Sequence, residues 1–269
     1  MSQARVVSTA IKLRVVIDER AFRMRTLVRA LATWWALLMA PFAARALDDT
    51  RIDTARKAAD AVLTLFERAP VGRRPRLDDP AVRAKLEIVF DRSLFASPIP
   101  VSQSEKIDDL LENANRVGLA YYYDGADPGD DGRADANVAI YGPEIGAWLD
   151  YQVAADAGRV GGLYEFAARK RPQDIEDQTD RSGLHPVRLQ TARIASNILL
   201  ILLLPDVTDE WRLARLSALL ASSDVASRFL AEPMRRQLQD TARDVESRMT
   251  DPGVKKQLSE YARRISRAQ

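Results

Sequence analysis

Over most of residues 48–269 the apolar side chains recur three and four positions apart, the period of one helix face. Ile52, Ala55, Ala59, Val62 and Phe66 form one such stripe. A stripe of this kind is stable only when another element covers it, so a chain built from them packs helix on helix. The reading is an all-α fold, a single bundle-like domain of about eight helices over residues 47–269. No repeat of fixed period is visible, which argues against a solenoid.

Local chemistry marks the helix ends. Asp79-Pro80 and Asp251-Pro252 each pair a capping carboxylate with a proline at the first helical position, where no amide hydrogen is needed. Ser102-Gln103-Ser104-Glu105 has capping-box spacing, and Thr208 or Asp206 can cap the helix carrying Trp211, Leu216 and Leu220. Pro70 to Pro75, with Gly72 inside, reads as a linker. Gly158, Gly161 and Gly162 predict either a break or a close helix contact. The 11 residues from Ile194 to Leu204 are apolar on nearly every side, which predicts a buried central helix. They are too few to cross a bilayer, which takes roughly 20. Asn197, inside that stretch, is expected to bond a neighbouring helix. Residues 170–186 are polar and read as a loop or a short exposed helix, placing His185, the only histidine, in a loop.

The helical pattern fails between Gly118 and Gly142. Residues 125–137 read as an irregular loop dense in Gly and Asp. Tyr121-Tyr122-Tyr123 can form a short strand, and Val138–Tyr141 can pair with 119–123 as a small hairpin.

The first 46 residues read as an N-terminal extension and a bacterial-type signal peptide. Arg25 and Arg29 supply the positive region, Leu31 to Ala40 the apolar one, and Ala44-Arg45-Ala46 the small-x-small site that predicts cleavage after Ala46. Some 24 residues precede this leader and include Asp18 and Glu19, so Met24 is the expected true start. The apolar run from Ala30 to Ala44 is shorter than a spanning helix, so cleavage is expected rather than anchoring. Without cysteine a lipid anchor on that residue is excluded, and without an adjacent arginine pair in the leader the twin-arginine route has no support. The expected location is periplasmic or secreted.

Removing the leader reverses the charge. The chain has 40 basic and 38 acidic residues, and residues 1–46 hold eight basic and two acidic, which leaves 32 and 36, a net charge of −4. A mildly acidic domain has no electrostatic case for binding nucleic acid. Zero cysteines exclude disulfides, thiolate catalysis and cysteine zinc sites.

The strongest site candidate is the acidic segment Asp124, Asp127, Asp130, Asp131 and Asp135, whose oxygens could surround Ca²⁺. It fits the calcium-loop frame poorly. With Asp127 at position 1, Gly129 falls at position 3 and Val138 at position 12, so two oxygen donors are missing. The competing reading is a solvated turn. Glu144 and Tyr141 are the weak catalytic candidates: Glu144 lies in a first helical turn, where a carboxylate favours the dipole, and could instead serve as an acid. Asp150 falls nearly opposite Glu144 on the helix, so the two do not form a glycosidase pair. His185 with Ser182 lacks any nucleophile-elbow context. Lys255, Lys256, Arg263, Arg264 and Arg267 on the last helix read as a solvated face with some capacity for anionic lipid headgroups.

The functional expectation is an exported, non-enzymatic module that binds a protein or small-molecule ligand in the cell envelope. Membrane contact enters only if the leader is uncleaved. The alternative is a periplasmic hydrolase with an acidic site around residues 124–150.

Overall fold

The computed structural model describes residues 47, 49–95, 98–126, 131–168 and 184–267. The leader, Asp127, Asp130 and the polar segment up to Gly183 lie outside them. Nine α-helices are present among the described residues. They are α1 (Asp49–Arg68), α2 (Pro80–Val89), α3 (Ser104–Tyr122), α4 (Asp131–Ile140), α5 (Gly142–Ala168), α6 (Leu184–Ile201), α7 (Asp209–Phe229), α8 (Glu232–Arg248) and α9 (Pro252–Ser266). Two 3-10 turns, Arg92–Phe95 and Val101–Gln103, lie between α2 and α3. The all-α expectation holds, and no described residue is in a strand.

The expected caps form at three sites. The Asp79 side chain accepts from the Ala81 amide at 2.8 Å, Asp251 from Val254 at 2.8 Å, and Thr208 from Trp211 at 3.2 Å. The capping box at Ser102–Glu105 does not form. Val101–Gln103 coils into a 3-10 turn, Ser104 becomes the first residue of α3, and its hydroxyl donates back to the Val101 carbonyl at 2.8 Å.

α5 is the spine. It packs on α3, α4, both 3-10 turns, α6 and α7, while α1 packs on α2 and α3, and α9 on α7 and α8. Its glycines mark close approach and not a break. Ile99 donates its amide to the Gly158 carbonyl at 3.0 Å, and a Cβ placed on Gly162 would lie 1.7 Å from the Ile99 carbonyl oxygen. The apolar stretch is helical only to Ile201, the end of α6, where Ile198 and Leu199 are at 1 % exposure or less; Leu202, just beyond it, is fully buried. Asn197 on it is only half-buried.

The hairpin expected near 118–142 is replaced by helix. Tyr121 and Tyr122 finish α3, and residues 131–140, expected as loop and strand, are α4. Ala134, Asn137, Val138 and Tyr141 are all buried, a spacing of three, one and three that only a helix puts on one face. The Gly and Asp content masked this short stripe. His185, expected in a loop, lies exposed in the first turn of α6.

Gly162→Ala should destabilise the chain by about 1–3 kcal/mol or more, because backbone cannot yield as a side chain can. Gly142→Ala, whose Cβ would meet only the Trp211 ring at 3.6 Å, should be close to neutral. Urea denaturation of the two variants checks the contrast.

Candidate functional site

The linker between α1 and α2, residues 69–79, is a strap held down by side chains from the rest of the fold. Gly72 turns it with φ +78°, a conformation that favours glycine. The Gly72 amide donates to Asp124 Oδ2 at 2.6 Å and the Arg74 amide to the Tyr141 hydroxyl at 3.2 Å. The Leu77 amide donates to Glu144 Oε1 at 2.7 Å, and the Tyr121 hydroxyl donates to the Pro75 carbonyl at 2.6 Å. Four side chains from α3, the α3–α4 and α4–α5 junctions and α5 therefore satisfy the backbone of an irregular segment that no ladder could serve.

Asp124 is the centre of this clasp. It is 3 % exposed. Besides the Gly72 amide it accepts from Arg74 Nε at 2.7 Å and from the Tyr141 hydroxyl at 2.7 Å. Arg74 continues outward: its Nη1 donates to the Phe66 carbonyl at 2.5 Å, and its guanidinium lies 5.5 Å from the Phe66 ring centroid. It thus caps the C-terminal end of α1 with a positive charge. Asn137 of α4 closes the ring, donating to the carbonyls of Tyr122 at 2.9 Å and Asp124 at 3.0 Å.

The tyrosines are tuned for donation. Burial, then the bond to Asp124, pushes the Tyr141 phenol up. Burial and then the nearby Glu144 charge push Tyr121 up further. A base or nucleophile needs the opposite shift. Glu144 is 1 % exposed, with Arg76 Nε 4.0 Å from Oε1, and its Oε2 has no hydrogen-bond partner among the described residues. The carboxylate faces the strap backbone.

Of the five acidic residues expected to surround calcium, Asp124, Asp131 and Asp135 lie among the described residues. Asp124 is bonded internally. Asp135 accepts the Tyr122 hydroxyl at 2.8 Å, and Asp131 opens α4. Asp127 and Asp130 lie outside the described residues. No group of three or more His, Asp or Glu side chains among the described residues could hold a metal ion.

Two further buried carboxylates escaped the sequence reading in this form. Asp150 of α5 pairs with Arg215 of α7 at 2.7 Å, and Arg92 approaches at 3.4 Å. Arg215 stacks 5.0 Å from the Trp211 ring centroid, and Trp211 Nε1 donates to the Gly142 carbonyl at 2.7 Å. A Cβ on Gly146 would fall 1.8 Å from Arg215 Nη1, so Gly142, Gly146 and Asp150 form one face shaped to two side chains of α7. Burial raises Asp150, with the Arg215 charge opposing it. Asp156, 5 % exposed, meets Arg159 at 3.5 Å and lines a small cavity with Thr191, Ser222 and Tyr261. Arg159 reaches Asp108 of α3 at 3.3 Å. Burial raises Asp156 too. The signal for these groups was a charged residue on an otherwise apolar stretch, but their partners on other elements lie far off in sequence.

Comparison with protein-family models, curated proteins and solved structures gives no match.

Asp124→Ala should cost about 3–5 kcal/mol, since it leaves the largely buried Arg74 without its carboxylate. Tyr141→Phe should cost about 1–3 kcal/mol, and the two losses should add to less than their sum when combined. Denaturation of the single and double variants reads both. For Asp156 the sign is fixed by its raised pKa. The folded chain holds that proton more tightly than the unfolded one, so the contribution is full below the unfolded value of 3.8 and is lost as pH rises through the folded value. Asp156→Asn should therefore gain stability relative to the parent as pH climbs from 4 towards neutrality. Melting temperatures of both across that range test it, and a constant difference would contradict it.

Proposed function

We propose that the chain is an exported, non-enzymatic helical module that binds a protein or small-molecule ligand in the cell envelope. One observation carries the choice of binding over hydrolysis. Asp124, Tyr141 and Glu144, the polar groups on which a hydrolytic site would have been built, are each bonded to the backbone of the strap. A general acid or base must reach a substrate proton within hydrogen-bond distance. These three groups are turned to the inside of a packed segment.

The residue that follows the proposed cleavage site, Leu47, is held in place whether or not the leader is removed. Its side chain is 5 % exposed, and its backbone nitrogen donates to Gln103 Oε1 at 2.7 Å. A neutral amide oxygen serves either the peptide N–H or the α-ammonium that cleavage after Ala46 would create. No described helix is long and apolar enough to cross a membrane, so in this reading membrane contact depends on an uncleaved leader. A calcium ion, if the acidic segment takes one, would draw on Asp127, Asp130, Asp131 and Asp135, with Asp124 committed elsewhere.

Expression of the full chain in a Gram-negative host, followed by fractionation and N-terminal sequencing, tests the compartment. The expected product is periplasmic and begins at Leu47. A membrane-bound product that retains Trp34 and Trp35 would replace export by anchoring. Calcium titration of the same product reads the acidic segment, where a saturable heat lost in Asp130→Ala would establish the site. Turnover of a defined ester, amide or glycoside, abolished in a folded Glu144→Gln variant, would overturn the non-enzymatic reading.

A further inference from the structure

We propose that the groove between the C-terminal ends of α7 and α9 is a binding site for a phosphate group. The groove encloses about 240 Å³ and is lined by Asp224, Ser227 and Arg228 of α7 and by Arg263, Arg264 and Arg267 at the end of α9. It lies on a different part of the chain from the strap, and the inference stands whatever the compartment of the protein.

Charge decides the kind of ligand. Arg228 and Asp224 carry opposite charges and balance. Among the described residues, Arg263 and Arg264 share a second carboxylate, Glu260: Arg263 Nε donates to Oε2 at 2.8 Å and Arg264 Nε to Oε1 at 2.6 Å. These bonds hold the Glu260 carboxyl down to about 2, so it is ionised at every physiological pH. Two positive charges remain in excess among these described side chains. The helix ends at Phe229 and Ser266 supply roughly half a negative charge each, which offsets only about half of that excess. The residual field is positive, on a chain whose residues 47–269 are net acidic.

Geometry selects phosphate among anions. Guanidinium forks match the oxygen spacing of phosphate and bind it in pairs of parallel hydrogen bonds. Glu260 takes Nε and Nη2 of Arg263 and Nε of Arg264, which holds both guanidinium groups in place, so an anion would be met by their remaining N–H groups at a lower entropy cost. Ser227 completes the wall, its hydroxyl donating to the Asp224 carbonyl at 2.9 Å. The phosphate could belong to a soluble ion or monoester, or to an anionic lipid headgroup.

The test uses the purified full chain with inorganic phosphate, titrated against chloride at equal ionic strength and followed by thermal shift. A saturable rise in melting temperature is expected with phosphate alone. Arg263→Ala combined with Arg267→Ala should weaken binding at least tenfold, and both side chains are exposed, so the fold is retained. Asp224→Asn, which removes a competing carboxylate from the groove, should tighten binding severalfold. Sedimentation with phosphatidylglycerol–phosphatidylcholine vesicles distinguishes the source. Pelleting lost in the double variant assigns a lipid headgroup, and a phosphate response without pelleting assigns a soluble phosphate. An equal response to chloride, or an unchanged phosphate response in the double variant, overturns the proposal.

Discussion

A carboxylate shut away from water has to be answered by donors, and around Asp124 that requirement organises one end of the molecule. Its three donors are a strap amide, a strap guanidinium and a tyrosine at the α4–α5 junction. Two come from the strap and the third from a distant stretch of chain. Meeting them fixes the end of α1, the path of the strap and the starting angle of α5 together. Arg74 carries the constraint onward to the last carbonyls of α1, and Asn137 carries it back to the end of α3. The same donors would lose their partner at once if Asp124 turned outward.

α5 solves a related problem along its length. A helix that touches six other elements has few faces left for bulky side chains, and its glycines lie where neighbouring backbone or side chains come closest. Where the contact carries charge, the charge is paired: Asp150 with Arg215 across to α7, Asp156 with Arg159 and through it to Asp108 on α3. Buried pairs of this kind add little net stability, because desolvation consumes much of the attraction. Their effect is to penalise any register in which the partner is missing, and so they align α5 with its neighbours.

Most of the helices were legible in the sequence because periodicity and caps are local. Asp79-Pro80, Thr208 and Asp251-Pro252 announce helices within four residues of themselves, and all three do so in the structure. The segment 131–140 was misread because Asp131, Gly132, Asp135 and Asn137 are turn-forming residues by composition, and only three or four buried positions argue for helix. The clasp was invisible for a different reason. Asp124 and Arg74 are 50 residues apart, and Asp150 and Arg215 are 65 apart. No local spacing encodes such pairs. An aspartate in a glycine-rich stretch looks the same whether it faces water or closes a core. One clue was available: Val117, Tyr121 and Asp124 continue the helical interval, which places Asp124 on the buried face.

The functional account turns on whether the Asp124–Tyr141–Glu144 cluster is committed to holding the strap. Amide hydrogen exchange resolved to single residues, in the parent and in Asp124→Asn, measures that commitment directly. The account predicts slow exchange at Gly72, Arg74 and Leu77 in the parent, with Gly72 and Arg74 released far more than Leu77 in the variant, since Leu77 is held by Glu144. Exchange at unprotected loop rates for all three amides in the parent would contradict it, and would return these carboxylates to the pool of groups free to act on a ligand or substrate.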